Sequence, residues 1–400
     1  MKIIKILNGF LFNRFTIENK IAFYINEDYI LDHYFNVMDK LDPSKFDVIF
    51  ANKFKDVKYK KIIEKIKSKQ WNILFLNQVI WVRKYKLLVT HIYLGGDSIK
   101  KISLADKIRT LIYKILIVVG RKDITKPRKQ YFQQVLGEYN VRFMYGADGN
   151  RFKLPEYNSL FDEFFCHGPR DSKIVHEQFK KPITQMGYPR YDTYFSNLSN
   201  QKLKNNLYSQ HSCSRDKPTI LWICTVSSHF STIEKYEKMM LKLIDKYNVI
   251  LRPHPMEIDP QFSRYNPNVH QIINSRKFIV NIDAHQEMSE LYLIADYVFC
   301  DYGGSIFSAL YLNKKILLMD HEDISLDEEM FNSTQIEVRK YLPVINFNDP
   351  IIVDEDFANP LFWIKWQDSQ AYARNKYFGD NKSNSSLKAA KRMLEILENV

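Results

Sequence analysis

Short apolar runs rich in β-branched and aromatic residues recur along this chain, separated by stretches in which apolar residues return every three or four positions. The first pattern reads as strands buried on both faces, the second as amphipathic helices. In the first half, strands are predicted over 21–25, 46–51, 71–76, 86–90 and 141–145, with helices over 29–41 and 57–69. In the second half the strands fall at 218–224, 247–252, 296–300 and 315–319, with helices at 234–246, 288–295, 306–312 and in the run from Ser385 to Leu397. Strands alternating with helices predict parallel, doubly wound sheets, an α/β fold. The Ser-, Asn- and Lys-rich run 196–217 reads as a linker. It divides the chain into a first domain over 1–195, a second over 218–375 and a tail over 376–400. Between Asp320 and Phe357 the chain is acidic and reads as loop.

Two strand ends of the second half carry the densest candidate chemistry. The strand before Arg252 stops at Pro253-His254-Pro255, and prolines on both sides of His254 restrict the backbone that presents its imidazole. The strand before Asp301 runs into Tyr302, Gly303, Gly304 and Ser305, after which a helix begins. Glycines admit close approach of an anion to the backbone, and the first N–H groups of a helix point at it. The same glycines also suit a plain strand-to-helix turn. Both sites lie at carboxyl ends of strands, where open α/β sheets bind ligands. The hydroxyls of Thr225 and Ser227, at a third strand end, suit phosphate or ribose contacts and equally the capping of the following helix.

Leu251-Arg252-Pro253-His254-Pro255, the run 291–300, Asp301 to Ser305 and the lysines Lys314 and Lys315 resemble the CDP-glycerol glycerophosphotransferases, which build teichoic acids and some capsule polymers. The run 161–168, the segment 186–192 and the tail from Tyr377 to Lys382 carry the same likeness, which spans about the last two-thirds of the chain. The resemblance implies a GT-B architecture, two Rossmann-like domains facing a cleft. It also implies transfer of glycerol phosphate or a related polyol phosphate from a CDP-activated donor to a hydroxyl of a phosphate-rich or lipid-linked glycan acceptor. On that reading His254 hydrogen-bonds the diphosphate or protonates departing CMP. Arg252, Asp301, Gly303, Gly304, Ser305, Thr225 and Ser227 hold the donor. The family pattern has a histidine where this chain has Tyr145, followed by the matching Gly146. The base therefore has to come from elsewhere: Asp148 is the first candidate, and His167 another. Tyr145 and Arg190 complete the set, and His91, just past a strand end, reads as a loop histidine. A GT-B glycosyltransferase using a CMP- or UDP-sugar, and a non-catalytic nucleotide- or polymer-binding relative, are the alternatives.

A formal charge of +12 points to anionic partners: a nucleotide diphosphate, a phosphate polymer or an anionic membrane surface. No nucleic-acid motif accompanies the charge. The four cysteines, Cys166, Cys213, Cys224 and Cys300, lack metal-ligand spacing, which suits a reducing compartment. No carboxylate or His/Cys cluster calls for a metal, and no cofactor is expected. No signal-peptide pattern or long apolar span is evident, so a cytoplasmic protein is expected, peripheral at the inner face of the membrane if the basic-flanked run 108–119 lies in the interface. The other reading buries that run in the first domain.

Overall fold

The computed structural model describes residues 16–80, 82–94, 111, 132–146, 154–225, 232–260, 265–282, 287–321, 334–345, 357–380 and 383–399. The first half forms a seven-stranded sheet from β1 (Thr16–Ile25), β2 (Phe46–Phe50), β3 (Ile73–Phe75), β4 (Arg83–Thr90), β5 (Gly137–Phe143), β6 (Glu163–Cys166) and β7 (Ile183–Gln185), in the spatial order β3-β2-β1-β4-β5-β6-β7. A second sheet is built from β8 (Thr219–Ile223), β9 (Asn248–Arg252), β10 (Ile279–Val280), β11 (Tyr297–Cys300), β12 (Lys315–Met319) and β13 (Val344–Ile345), in the order β10-β9-β8-β11-β12-β13. Every described pairing in both sheets is parallel. Parallel strands need crossovers, and the connecting helices cover both faces, which is why the strands read as unbroken apolar runs.

Two stretches differ from their sequence reading. Within 196–217 lies the helix Gln201–Gln210, whose N-terminus is capped by Asn200 accepting from the Leu203 N–H at 3.1 Å. Its single buried residue, Leu207, joins the second-domain core, and so narrow an apolar stripe is hidden by its polar neighbours. The region after Asp320 is not all loop: it holds the helix Thr334–Arg339 and the two-residue β13. Both are too short for periodicity to register.

The chain returns to the first sheet at its end. The helix Pro360–Phe378 packs Ala373, Tyr377 and Phe378 into the second-domain core. The following helix, Ser385–Asn399, places Ala389, Met393, Ile396 and Leu397 in the cluster that contains Ile21, Phe23 and Phe165 of the first sheet. Asp192 fixes the start of that last helix, accepting from the N–H groups of Ser385 at 3.1 Å and Ser386 at 2.7 Å. Gly168 sits where the Pro360–Phe378 helix meets the first domain. A Cβ there would stand 2.4 Å from the Tyr377 carbonyl oxygen and 2.5 Å from Phe378 Cα, both backbone atoms that cannot turn aside. Its φ of −175° is open to any residue, so the requirement is purely one of space.

Gly168→Ala is therefore expected to destabilise the protein by about 1–3 kcal/mol through overpacking at this junction. Urea denaturation measures it, and an unchanged midpoint would mean the two elements part more easily than their packing implies.

Candidate active site

Three adjacent strands of the second sheet, β9, β8 and β11, end side by side and carry the donor-side candidates. Neighbouring strands lie about 4.8 Å apart, so the loops after them share one surface. After β9, His254 is the N-cap of the one-turn helix Pro255–Ile258, and its Nδ1 accepts the Met256 N–H at 3.2 Å. That bond leaves the proton of the neutral ring on Nε2, which makes Nε2–H the outward donor. Arg252 is buried, and its Nη1 donates to the main-chain oxygen of Asn281 at 3.4 Å and to the Asn281 side-chain oxygen. The guanidinium thus braces the edge of the sheet beneath the His254 loop.

After β11, Asp301 is fully buried and turned inward. Its carboxylate accepts from the Thr225 N–H at 2.9 and 3.1 Å, the Thr232 hydroxyl at 3.1 Å and the Tyr302 N–H at 2.7 Å. It therefore ties the loop after β8 to the loop after β11 and to the start of the helix Ile233–Leu241. Burial pushes its pKa up from 3.8 to about 6, against the pull of these donors and of Arg339. Arg339, from the helix that sequence reading took for loop, donates to the carbonyls of Asp301 at 2.9 Å and Met319 at 2.8 Å. It also lies over the Tyr302 ring, 4.3 Å from the centroid.

Gly303 follows directly. A Cβ added there would meet only Thr225 and Ser305 side-chain atoms at 3.7 Å, which is ordinary contact. Gly304, the N-cap of the helix Ser305–Tyr311, has φ −61° and ψ −14°. Neither backbone conformation nor crowding inside the protein calls for glycine at these positions. What Gly303 leaves is room for a Cβ, bounded at 3.7 Å by the Thr225 and Ser305 side chains, so that the backbone at the helix start carries no side chain of its own, the feature a bound anion would use.

On the first domain, four consecutive strands, β4 to β7, end at His91, Tyr145, His167 and Tyr188. His33, from the helix Leu31–Met38, joins them. The Tyr145 ring, 40% exposed, is met edge-on by His33 at 5.5 Å and His91 at 5.8 Å between centroids. His91 is not a solvent-facing loop residue: it is buried, and burial with the Arg142 charge lowers its pKa to about 3. His33 is held well below the usual imidazole range by burial, then by Arg190 and its two neighbouring histidines. Both rings are neutral at pH 7. His167 is fully buried, with Nδ1 3.0 Å from Asp171 Oδ2 and its ring edge-on to Tyr188 at 4.4 Å. Arg190 pairs with Asp32 at 3.4 Å. Asp32 and Arg190 line a small pocket between the domains with Phe35, Asn36, Glu287 and Ser289. The clustering of His33 and Tyr188 with the motif position was missed because residues so far apart in sequence leave no local signature. Asp148 and Ser227 lie outside the described residues, as does the run 108–119 apart from Leu111.

The sequence profile of CDP-glycerol:poly(glycerophosphate) glycerophosphotransferases matches residues 162–390, more than half of the 400. The chain belongs to this family. Its likeness extends to two curated proteins of Bacillus spizizenii. One is a teichoic acid poly(glycerol phosphate) polymerase, 27% identical over 152 residues, 35% of each chain. The other is a teichoic acid poly(ribitol-phosphate) polymerase, 24% identical over 147 residues, 35% of this chain and 22% of that one. This glycerophosphotransferase-family chain thus spans about a fifth to a third of the length of those relatives. Among solved structures, the wall teichoic acid polymerase TagF matches with a TM-score of 0.62 and 15% identity, over 100% of this chain and 92% of that one. A UDP-GlcNAc 2-epimerase from Neisseria meningitidis matches at 0.50 and 13%, over 95% and 100%. At these identities the structural likeness establishes the two-domain GT-B fold and nothing finer. Among the described residues no helix is long and apolar enough to cross a membrane, and no group of three His, Cys, Asp or Glu is placed to hold a metal ion.

The raised pKa of Asp301 has a stability consequence. A carboxyl whose folded pKa lies above its unfolded value stabilises the fold fully only below about pH 4, and that stability fades as pH climbs through 6. Two pKa units correspond to ~3 kcal/mol. The unfolding free energy of the wild type, measured against Asp301→Asn, should fall by up to that amount between about pH 4 and pH 7. A flat difference would mean that the donors around the carboxylate fully offset its burial.

Proposed function

We propose that the protein transfers glycerol phosphate, or a related polyol phosphate, from a CDP-activated donor to a hydroxyl of a phosphate-rich or lipid-linked acceptor of the cell wall. The observation that carries this reading is the backbone left bare of a side chain at Gly303, between the Thr225 and Ser305 hydroxyls, with His254 presented two strands away. Family membership supplies the donor class, and one TagF crystal was soaked with CDPG.

The diphosphate sits over the glycine pair, with the first N–H groups of the helix Ser305–Tyr311 and the Thr225 and Ser305 hydroxyls as donors. The acceptor oxygen attacks the phosphorus nearest the glycerol. A new P–O bond forms there as the bond to the CMP oxygen breaks, and CMP leaves with the electron pair. Negative charge accumulates on the transferred phosphoryl oxygens and the departing phosphate, so fixed donors at those positions lower the barrier. Because the His254 Nδ1 is engaged by Met256, Nε2 is the atom that hydrogen-bonds or protonates the leaving phosphate. Asp301 acts one step back by fixing the Thr225 and Tyr302 backbone.

On the acceptor side, Asp148, three positions after Tyr145 in sequence, takes the proton of the attacking hydroxyl. The neutral imidazoles of His33 and His91 favour a second reading, in which one of them serves as the base beside Tyr145. The protein works on the cytoplasmic side, where activated donors are made. Peripheral attachment to an anionic membrane would be salt-sensitive, since the Debye length falls from about 10 Å at 0.1 M to about 3 Å at 1 M.

Following CMP release with CDP-glycerol, CDP-ribitol, a CMP-sugar and UDP-GlcNAc tests the proposal. Turnover of the CDP-polyols alone is expected. Turnover of a sugar nucleotide instead would replace the proposal with a glycosyltransferase, and none at all with a binding relative. His254→Ala should lower turnover by about a hundred- to ten-thousand-fold with the melting temperature preserved. Near-normal turnover would reduce the imidazole to a cap of its own helix. Gly303→Val should weaken CDP binding in calorimetric titration more than it weakens folding, and equal affinity would leave the glycine pair as a mere turn.

A further inference from the structure

Half of the chain's net positive charge is concentrated in one short stretch. Between residues 53 and 69 there are eight lysines against Asp56 and Glu64, a surplus of six out of the +12 of the whole chain. The helix Lys60–Lys67 in this stretch buries Ile62 and Ile66 in the first-domain core and turns its lysines to solvent. The row is held in place rather than trailing freely. Lys65 and Lys69 lie over the Phe35 ring at 4.8 and 5.1 Å, and Lys55 over Phe75 at 5.2 Å. Cation–π contact fixes the aliphatic stem while the ammonium stays at the surface.

The row also leads somewhere. Phe35, on which Lys65 rests, lines the pocket between the domains, and so does Glu287, whose carboxylate is 4.0 Å from Lys65 Nζ. Arg190 lines the same pocket. The lysine row therefore reaches the edge of the interdomain pocket at Lys65, where the carboxylates Glu287 and Asp32 pair with Lys65 and Arg190.

We propose that this lysine row is a track for a linear polyanion, the phosphodiester backbone of the acceptor chain, which it holds along the first domain beside the interdomain junction. The inference rests on the transferase reading above. A flat membrane surface fits less well, because the apolar residues of this helix point into the core and leave no face to enter lipid. A chain of phosphodiesters needs only a row of cations along its path, and releases counterions as it binds.

Binding of a fluorescently labelled poly(glycerol phosphate) oligomer, followed by anisotropy across a salt series, tests the track. The combined variant Lys60→Gln, Lys61→Gln, Lys65→Gln, Lys67→Gln is expected to bind at least about ten-fold more weakly at 0.1 M salt, with a log–log salt slope shallower by about two to three units. The same four positions as arginine should keep both affinity and slope, and CDP affinity should be equal in all three proteins. Unchanged oligomer binding in the glutamine variant would overturn the track. So would oligomer binding indifferent to the lysines while binding to phosphatidylglycerol vesicles depends on them. Lysine-dependent oligomer binding by a protein that ignores CDP would keep the track and remove the donor reading.

Discussion

The donor-side architecture depends on one buried carboxylate. Asp301 has no exposure, and its carboxylate is satisfied by backbone N–H groups from two loops and by one hydroxyl. Burying a carboxylate is costly unless every lone pair finds a donor. That demand fixes where Thr225, Thr232 and Tyr302 must stand, and so where the loops after β8 and β11 lie relative to each other. Arg339 closes the arrangement from beneath by holding the Asp301 and Met319 carbonyls. The surroundings of Gly303 follow from this frame: Thr225, on one side, is anchored through Asp301, and the Ser305 hydroxyl stands on the other.

The two domains are joined by a dense aromatic seam as well as by chain connections. Tyr188 of the first domain lies edge-on to Tyr311 at 5.7 Å and stacks near Phe378 at 6.3 Å, while Tyr191 meets Tyr292 at 5.8 Å. The seam has polar pins: the Ser385 hydroxyl is 2.9 Å from the Tyr311 hydroxyl and accepts the Tyr188 N–H at 3.1 Å. Gly168 lets the long helix come close enough for these rings to meet. The charged group Arg170, Glu337 and Lys376 lies on the same junction, and Glu337 is held below the usual carboxylate range despite its partial burial, chiefly by the Lys376 ammonium and the Arg170 guanidinium. Relative domain motion would have to break these contacts, each aromatic pair contributing about 0.5–1.5 kcal/mol beyond its area burial.

Most of the fold was legible because buried parallel strands advertise themselves. Unbroken runs such as those of β2, β8 and β12 can be read from composition alone, and each was placed within a residue or two. The helix Thr334–Arg339 and β13 were not legible, because six residues and two residues carry no usable period. At the site, the prolines around His254 and the glycine pair were visible as local backbone signals. Gly304 has helical backbone angles, so what matters there is the missing side chain rather than freedom in φ. The acceptor side was the opposite case. Its members come from positions 33, 91, 145, 167 and 188, brought together only because four strand ends are neighbours, and no local pattern announces that.

The two sides of the cleft solve different electrostatic problems. On the proposed reading the donor side meets a diphosphate with dipoles and hydroxyls, while its own carboxylate is turned inward beneath three donors. A diphosphate above Gly303 would raise the Asp301 pKa further by like-charge repulsion, so a carboxylate already lifted to about 6 can relieve that repulsion by taking a proton. On the acceptor side His33 and His91 are kept neutral by burial and by the cations Arg190 and Arg142. A neutral imidazole neither repels a sugar or polyol hydroxyl nor forms an ion pair that would have to break during transfer. The rings that line the first-domain side are thus neutral, with Arg142 and Arg190 beside them, while fixed dipoles and hydroxyls line the side of Gly303. That division follows from which strand ends are lined by rings and which by glycine and hydroxyl.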